Sequence, residues 1–197
     1  MPHESWDDMA QWYEETVGQL EPEFRKATDA LLAVTNTGPG TKLLDLACGP
    51  GHTTAAAAAT GASVLGVDLS SEMIKAAKRR YPDHMFSVGD MLEPPSGPWD
   101  AIVSRFGAHH VNPAWIKAAF AVLKPGGRLA IAEFDGNTEE ARANGMQSAG
   151  PWENLLAQAG FSQVQSEVLH LDLERFEGTE LPVPGDVVLI VSGSKPT

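Results

Sequence analysis

One cysteine, few basic residues and no long apolar run are what this 197-residue chain offers first, and each scarcity excludes something. The lone thiol, Cys48, leaves no internal disulfide and no multi-cysteine metal site, and no metal is expected. Nowhere does the sequence hold the roughly 20 consecutive apolar residues a membrane helix needs. Its start, MPHESWDDMAQWYEE, is acidic and lacks the basic-then-apolar layout of a signal peptide, so a cytoplasmic protein is the expectation. Positive charge is scarce: 14 Lys and Arg stand against 26 Asp and Glu, a formal net charge of −12. Phosphate backbones and anionic lipid surfaces would be repelled, so neither nucleic acid nor membrane is an expected partner. What remains is a chain of 43% hydrophobic and 20% charged residues, ordinary for a globular protein and suited to one domain with one core.

The organising stretch runs from Lys42 to Asp68, KLLDLACGPGHTTAAAAATGASVLGVD. Leu43 to Ala47 is a short apolar run broken only by Asp45, the pattern of a buried strand. Cys48-Gly49-Pro50-Gly51 is a turn, His52 to Thr60 a strong helix former, and Gly61 a helix stop. Ser63 to Val67 reads as a second strand, ending on Asp68. Strand, glycine turn, helix, strand and acid form a nucleotide-binding unit. Glycine lets a ligand approach the backbone, the helix start offers free N–H groups, and the acid suits a ribose diol. A dinucleotide fold would use the same unit, but Thr54 stands where its third glycine belongs.

Together with two motifs further along the chain, the stretch resembles the class I S-adenosylmethionine (SAM) dependent methyltransferases. Asp45-Leu46-Ala47-Cys48-Gly49-Pro50-Gly51 is similar to their acid-x-Gly-x-Gly-x-Gly motif, with Ala47 in place of the first glycine. Asp68 matches the acid ending strand two, and Asp90 in VGDM the acid after strand three. Leu123-Lys124-Pro125-Gly126-Gly127 matches the turn before strand five. The resemblance covers residues 41–134 and favours a methyltransferase over a nicotinamide-dependent oxidoreductase.

Strands alternating with helices predict an α/β, Rossmann-like, doubly wound sheet of seven strands, mostly parallel. The last strand, from Asp186, follows strand six without a helix between and should run antiparallel. One domain is expected over 1–197: N-terminal lid helices over 1–36, a cofactor-binding core over 41–134 and the C-terminal half of the sheet over 135–197. Trp6, Ala10, Tyr13 and Val17 recur at helical spacing, as do Phe24, Ala27, Leu31 and Val34 in a second helix. Either they pack on the domain or, in the resemblance, the first helix lies over the cofactor. Asp135 to Gly150 reads as a polar, mobile segment, and Gly178 to Gly185 as a connecting loop.

Ligands of doubly wound sheets sit at the carboxyl ends of the strands, where Asp45, Asp68, Asp90 and Arg105 all fall. The resemblance implies SAM as cofactor. Asp68 would hold its ribose, Asp90 and Met91 its adenine, and Asp45 its methionine ammonium or the glycine loop. Ala47, Gly49, Gly51, Leu69, Arg105 and Tyr13 complete the expected cofactor contacts. Methyl transfer from a sulfonium is an in-line displacement in which alignment supplies much of the acceleration. A base is needed only if the acceptor loses a proton. His109 and His110 are the candidates, with a plain place in the pocket wall or helix start as their other reading. The expected acceptor is a small molecule, methylated at oxygen before nitrogen and nitrogen before carbon. The alternative is a fold that binds SAM without transferring its methyl. With no large insertion after strand five, the pocket is to be completed by the N-terminal helices or by a partner subunit of a homodimer.

Overall fold

The computed structural model describes residues 5–143, 145–173 and 183–197. Its elements in chain order are α1 (Trp6–Thr16), a 3-10 turn (Val17–Leu20), α2 (Glu21–Val34), β1 (Lys42–Leu46), α3 (His52–Ala59) and β2 (Ser63–Asp68). Next come α4 (Ser71–Arg80), β3 (Met85–Val88), β4 (Trp99–Arg105), a 3-10 turn (Ala108–His110), α5 (Ala114–Val122) and β5 (Leu123–Phe134). The chain closes with α6 (Glu139–Ala143), α7 (Ala149–Ala159), β6 (Ser162–His170) and β7 (Val187–Ser194). The connecting loop expected at Gly178 to Gly185 lies for the most part outside the described residues.

The seven strands form one sheet in the order β3-β2-β1-β4-β5-β7-β6. β1 to β5 are mutually parallel, and β7 runs antiparallel between β5 and β6. This is the expected doubly wound architecture. A central parallel strand must be apolar on both faces. Leu43 and Leu44 of β1, and Ala101, Ile102 and Val103 of β4, are accordingly fully buried. Successive side chains alternate, so the sheet carries two cores. On one face Phe24, Ala27 and Leu31 of α2 pack on Val103, Ala130, Ala132 and Ile190. On the other, Trp115, Ile116 and Ala119 of α5 and Trp152 of α7 pack on Ile102, Leu129 and Ile131.

Two segments differ from the sequence reading. The stretch after β5 is folded: it contains α6, and Gly136 N donates to Gln147 O at 3.2 Å while Met146 N donates to Ala141 O at 3.0 Å. Short helices of small and polar residues give no periodic signal, so composition alone reads as loop. β5 also begins earlier than Arg128. Leu123 already pairs with Trp99, and the Pro-Gly-Gly turn is absorbed as an irregularity before Arg128 pairs with Ala101.

Helix α1 sits on α4. Its Asp7 carboxylate accepts from Ser70 Oγ at 2.6 Å and from the Glu72 amide at 3.2 Å, joining Ser70, the N-cap of α4, in satisfying the unpaired amides there. Glu14 reaches Arg79 and Arg80 at the other end of α4, at 3.1 and 3.3 Å. The Glu14 pairs join charged groups near the surface, where such bonds are weak and salt-sensitive, so the hydrogen bonds of Asp7 are the firmer polar tie. We predict that Asp7→Ala loosens α1 without unfolding the sheet. Amide hydrogen exchange in 6–16 should accelerate severalfold while β1 and β4 stay protected. Unchanged exchange in α1 would show that its apolar face alone holds it.

Candidate functional site

The carboxyl ends of β1, β2 and β4 open into a cavity roofed by α1. Trp6 and Tyr13 come from α1, Ala47 and Gly49 from the turn after β1, and Asp68 and Leu69 from the end of β2. Asp90 and Met91 follow β3, while Arg105 ends β4 and Phe106, Gly107 and His110 follow it. Of the expected site residues, Tyr13, Ala47, Gly49, Asp68, Leu69, Asp90, Met91, Arg105 and His110 line this one space. Asp45, Gly51 and His109 do not.

Asp68 fixes the floor. One carboxylate oxygen accepts from the Gly49 amide at 2.8 Å, the other from the Ser70 amide at 2.9 Å. It therefore holds the turn after β1 and the start of α4 at once. Each oxygen has capacity for a second donor, which a vicinal diol could supply. Burial pushes the Asp68 carboxyl above its ordinary pKa, against the pull of the two amides. Asp90 accepts from the Leu92 amide at 2.8 Å and stays at the cavity wall, with Met91 buried beside it.

Ala47 stands where the family motif has glycine, and its φ of +57° lies in the left-handed region that side chains disfavour. Its methyl is accommodated by a second glycine. A Cβ on Gly107 would lie 2.6 Å from the Ala47 Cβ. Gly51 does not line the cavity and packs elsewhere. A Cβ there would meet the Phe86 ring at 2.7 Å, so its missing side chain makes room for Phe86.

Asp45 lies behind the turn, 1% exposed. Thr54 Oγ1 donates to its Oδ2 at 2.6 Å, and its Oδ1 has no partner among the described residues. Threonine in place of the dinucleotide motif's third glycine thus ties α3 to β1. Burial pushes the Asp45 carboxyl up to about 7, opposed by the Thr54 hydrogen bond and by the charge of Arg105.

Arg105 is already engaged. Its guanidinium makes a bidentate pair with Glu21 at 2.8 and 2.9 Å and donates to Phe24 O at 3.2 Å and Thr28 Oγ1 at 2.9 Å. It anchors α2 to the end of β4. The histidine pair divides. His109 is buried, its Nδ1 2.6 Å from Glu133, and the same carboxylate accepts from the Ala108 and His109 amides at 2.6 and 3.3 Å. His110 faces the cavity, its ring 3.7 Å from that of His109 and 4.8 Å from that of Trp6. Sequence reasoning missed Glu133, although an acid at the end of the apolar run RLAIAEF was a readable signal. His52, beside the glycine turn, bonds Tyr81 Oη at 2.8 Å, and burial lowers its pKa.

Residues 43–127 match the family described as methyltransferase domain. A demethylmenaquinone methyltransferase of Beutenbergia cavernae is 36% identical over 172 residues, covering 81% of this chain and 65% of the relative. The chain thus spans just under two thirds of that relative's length. A chain of the complex between the Haloferax volcanii Trm112 methyltransferase activator and a methyltransferase superposes with a TM-score of 0.79 at 20% identity, over the whole of both chains. Phosphoethanolamine N-methyltransferase 2 of Haemonchus contortus, in complex with S-adenosyl-L-methionine, superposes at 0.74 and 18% identity, over all of this chain and 61% of its own.

The packing of the turn after β1 can be tested directly. Gly107→Ala alone should destabilise the protein by on the order of 1–3 kcal/mol through overpacking against Ala47. Ala47→Gly, which relieves the left-handed alanine, should restore most of that loss. A denaturation cycle over the four variants measures the coupling, and strictly additive effects would show that the two positions do not share space. A second prediction concerns Asp45. Between its ordinary pKa of 3.8 and about 7, the folded chain keeps a proton that the unfolded chain releases. Stability therefore falls as pH rises through that window. Asp45→Asn should flatten this decline by on the order of a few kcal/mol in denaturation at about pH 4 and pH 8. Equal slopes would place the proton elsewhere.

Proposed function

The chain belongs to the class I S-adenosylmethionine-dependent methyltransferases, and on that premise we propose that it methylates a hydroxyl oxygen of a small, uncharged, largely apolar molecule. When bound, SAM supplies a sulfonium methyl group open to in-line displacement. The residues present fit such a cofactor. Asp68 retains acceptor capacity for a diol, Asp90 and Met91 offer a polar edge beside an apolar face, and Gly49 leaves the turn's backbone bare. Asp45, through Thr54, keeps that turn in shape.

The observation that carries the acceptor class is the charge of the cavity wall. Arg105 is its one Lys or Arg among the described residues, and its guanidinium is held by Glu21, Phe24 and Thr28. No Lys or Arg of the described lining is left to pair a phosphorylated or carboxylated acceptor. Trp6, Tyr13, Phe106 and Val111 offer instead the apolar and aromatic surface that a planar, uncharged molecule buries against. His110 is the group placed to accept the hydroxyl proton, in its neutral form. Glu133 and His109 hold the turn that carries it and do not touch the cavity. α1 supplies the cover that a partner subunit would otherwise provide. With α1 docked, the cavity measures about 160 Å³. Ligand pockets run from about 300 Å³, so α1 must move outward to admit cofactor and acceptor together.

The test is transfer from methyl-labelled SAM to a panel of hydroxylated aromatics, with reduced demethylmenaquinone included because of the relatives' name. Cofactor affinity is measured in parallel by calorimetry. We expect transfer to oxygen, an acid-side fall in rate, and a loss of tenfold or more in kcat for His110→Gln with cofactor affinity unchanged. Asp68→Ala should do the reverse, weakening the cofactor and sparing kcat at saturation. Cofactor binding with no transfer to any acceptor would leave a SAM-binding fold without methylation. Methyl found on carbon or nitrogen would overturn the oxygen assignment.

A further inference from the structure

The sheet face under α2 is apolar at Ala130, Ala132 and Ile190, then turns polar where α2 ends at Val34. Cross-strand register places Arg128 opposite Ser194 and Ser192 opposite Gln165. Opposed residues share a face, as do residues two apart along a strand, so all four project to the same side. They line a cavity of about 320 Å³ together with Val34 and Gln163. It lies at the amino ends of β5 and β6, the end of the sheet away from the cofactor cavity. Along β5, Arg128 is four residues from Ala132, the partner of Arg105, or about 13 Å.

Three features of this cavity bear on what it can hold. Arg128 is half-buried and makes one hydrogen bond, Nη1 to Val34 O at 2.8 Å, which fixes the side chain but compensates no charge. It has no carboxylate partner among the described residues, in a chain where acids outnumber bases 26 to 14. Ser192 is 6% exposed and lines the cavity with its hydroxyl-bearing side chain. Gln163 sits at the irregularity of β6 with φ +51°, a left-handed conformation that costs about 1–2 kcal/mol and concentrates where a fold serves a ligand. No acid among the described residues lines the cavity. A guanidinium with unused donors, a buried hydroxyl and side-chain amides are the donor set of an oxyanion site. Arg128 also lines a second cavity of about 350 Å³, with Asn36, Thr41 and the Lys124–Asp100 ion pair, which leaves room for whatever the anion is attached to.

We propose that this end of the sheet binds a phosphate group, held by Arg128 with Ser192 and Gln165 as further donors, at a site separate from the methyl-transfer cavity. The inference does not rest on the acceptor reading above. It is tested by titrating inorganic phosphate, and in a second arm glycerol 2-phosphate, into the full chain by calorimetry at constant ionic strength. Saturable binding is expected in the wild type. Arg128→Gln should weaken it by roughly tenfold or more, and Ser192→Ala, which removes one buried oxygen and is expected to fold, severalfold. Asp68→Ala should bind phosphate as the wild type does. Tighter binding of glycerol 2-phosphate than of phosphate would identify a phosphomonoester extending past Arg128, and equal binding free phosphate. No saturable binding to the wild type, or undiminished binding in both Arg128→Gln and Ser192→Ala, would overturn the proposal.

Discussion

The carboxylate of Asp68 is the point on which the upper rim of this protein depends. A parallel sheet delivers its loops to one end, where their amides must be satisfied without the help of a ladder. Asp68 satisfies two, those of Gly49 and Ser70, and so locks the turn after β1 to the start of α4. The turn can then hold Ala47 in a left-handed conformation that isolated alanine would leave. Its methyl occupies the space Gly107 gives up, which brings the segment after β4 against the same turn. Three loops distant in sequence are thereby packed round one carboxylate, and the cavity is the space between them.

Around that floor the charged groups have been divided between architecture and chemistry. Arg105 and Glu21 neutralise each other where α2 crosses the end of β4. Glu133 performs the same service for the turn carrying the histidines, accepting from two amides and facing the His109 ring nitrogen. These engagements occupy the guanidinium of Arg105 and the ring nitrogen of His109. His110, Asp68 and Asp90 line the cavity wall. The roof is built differently. α1 is attached to α4 through the carboxylates of Asp7 and the half-buried Glu14, a small set of polar ties, and such an element can open while the sheet beneath keeps its core.

The fold was legible in the sequence because its signals are local. The apolar runs at Leu43 to Ala47 and Arg128 to Phe134, the alanine-rich helix and Gly61 each follow from propensity and periodicity. The antiparallel β7 followed from a missing crossover helix. Asp45, Asp68, Asp90 and Arg105 could be placed at one rim from strand polarity alone. The polar segment containing α6 could not be read, since a five-residue helix has no period to detect.

What the sequence determined by itself was therefore the order of elements, the sheet they make and the rim where the ligand groups gather. Only the tertiary structure decided what each of those groups is free to do. Gly51 makes way for Phe86, Arg105 is spent on α2, and His109 and His110, adjacent in the chain, are turned to opposite tasks. Glu133 entered the site only when β5 was seen beside the turn after β4. Backbone propensity acts over a few residues, whereas side-chain availability depends on hydrogen-bond and packing partners 24 to 84 positions away.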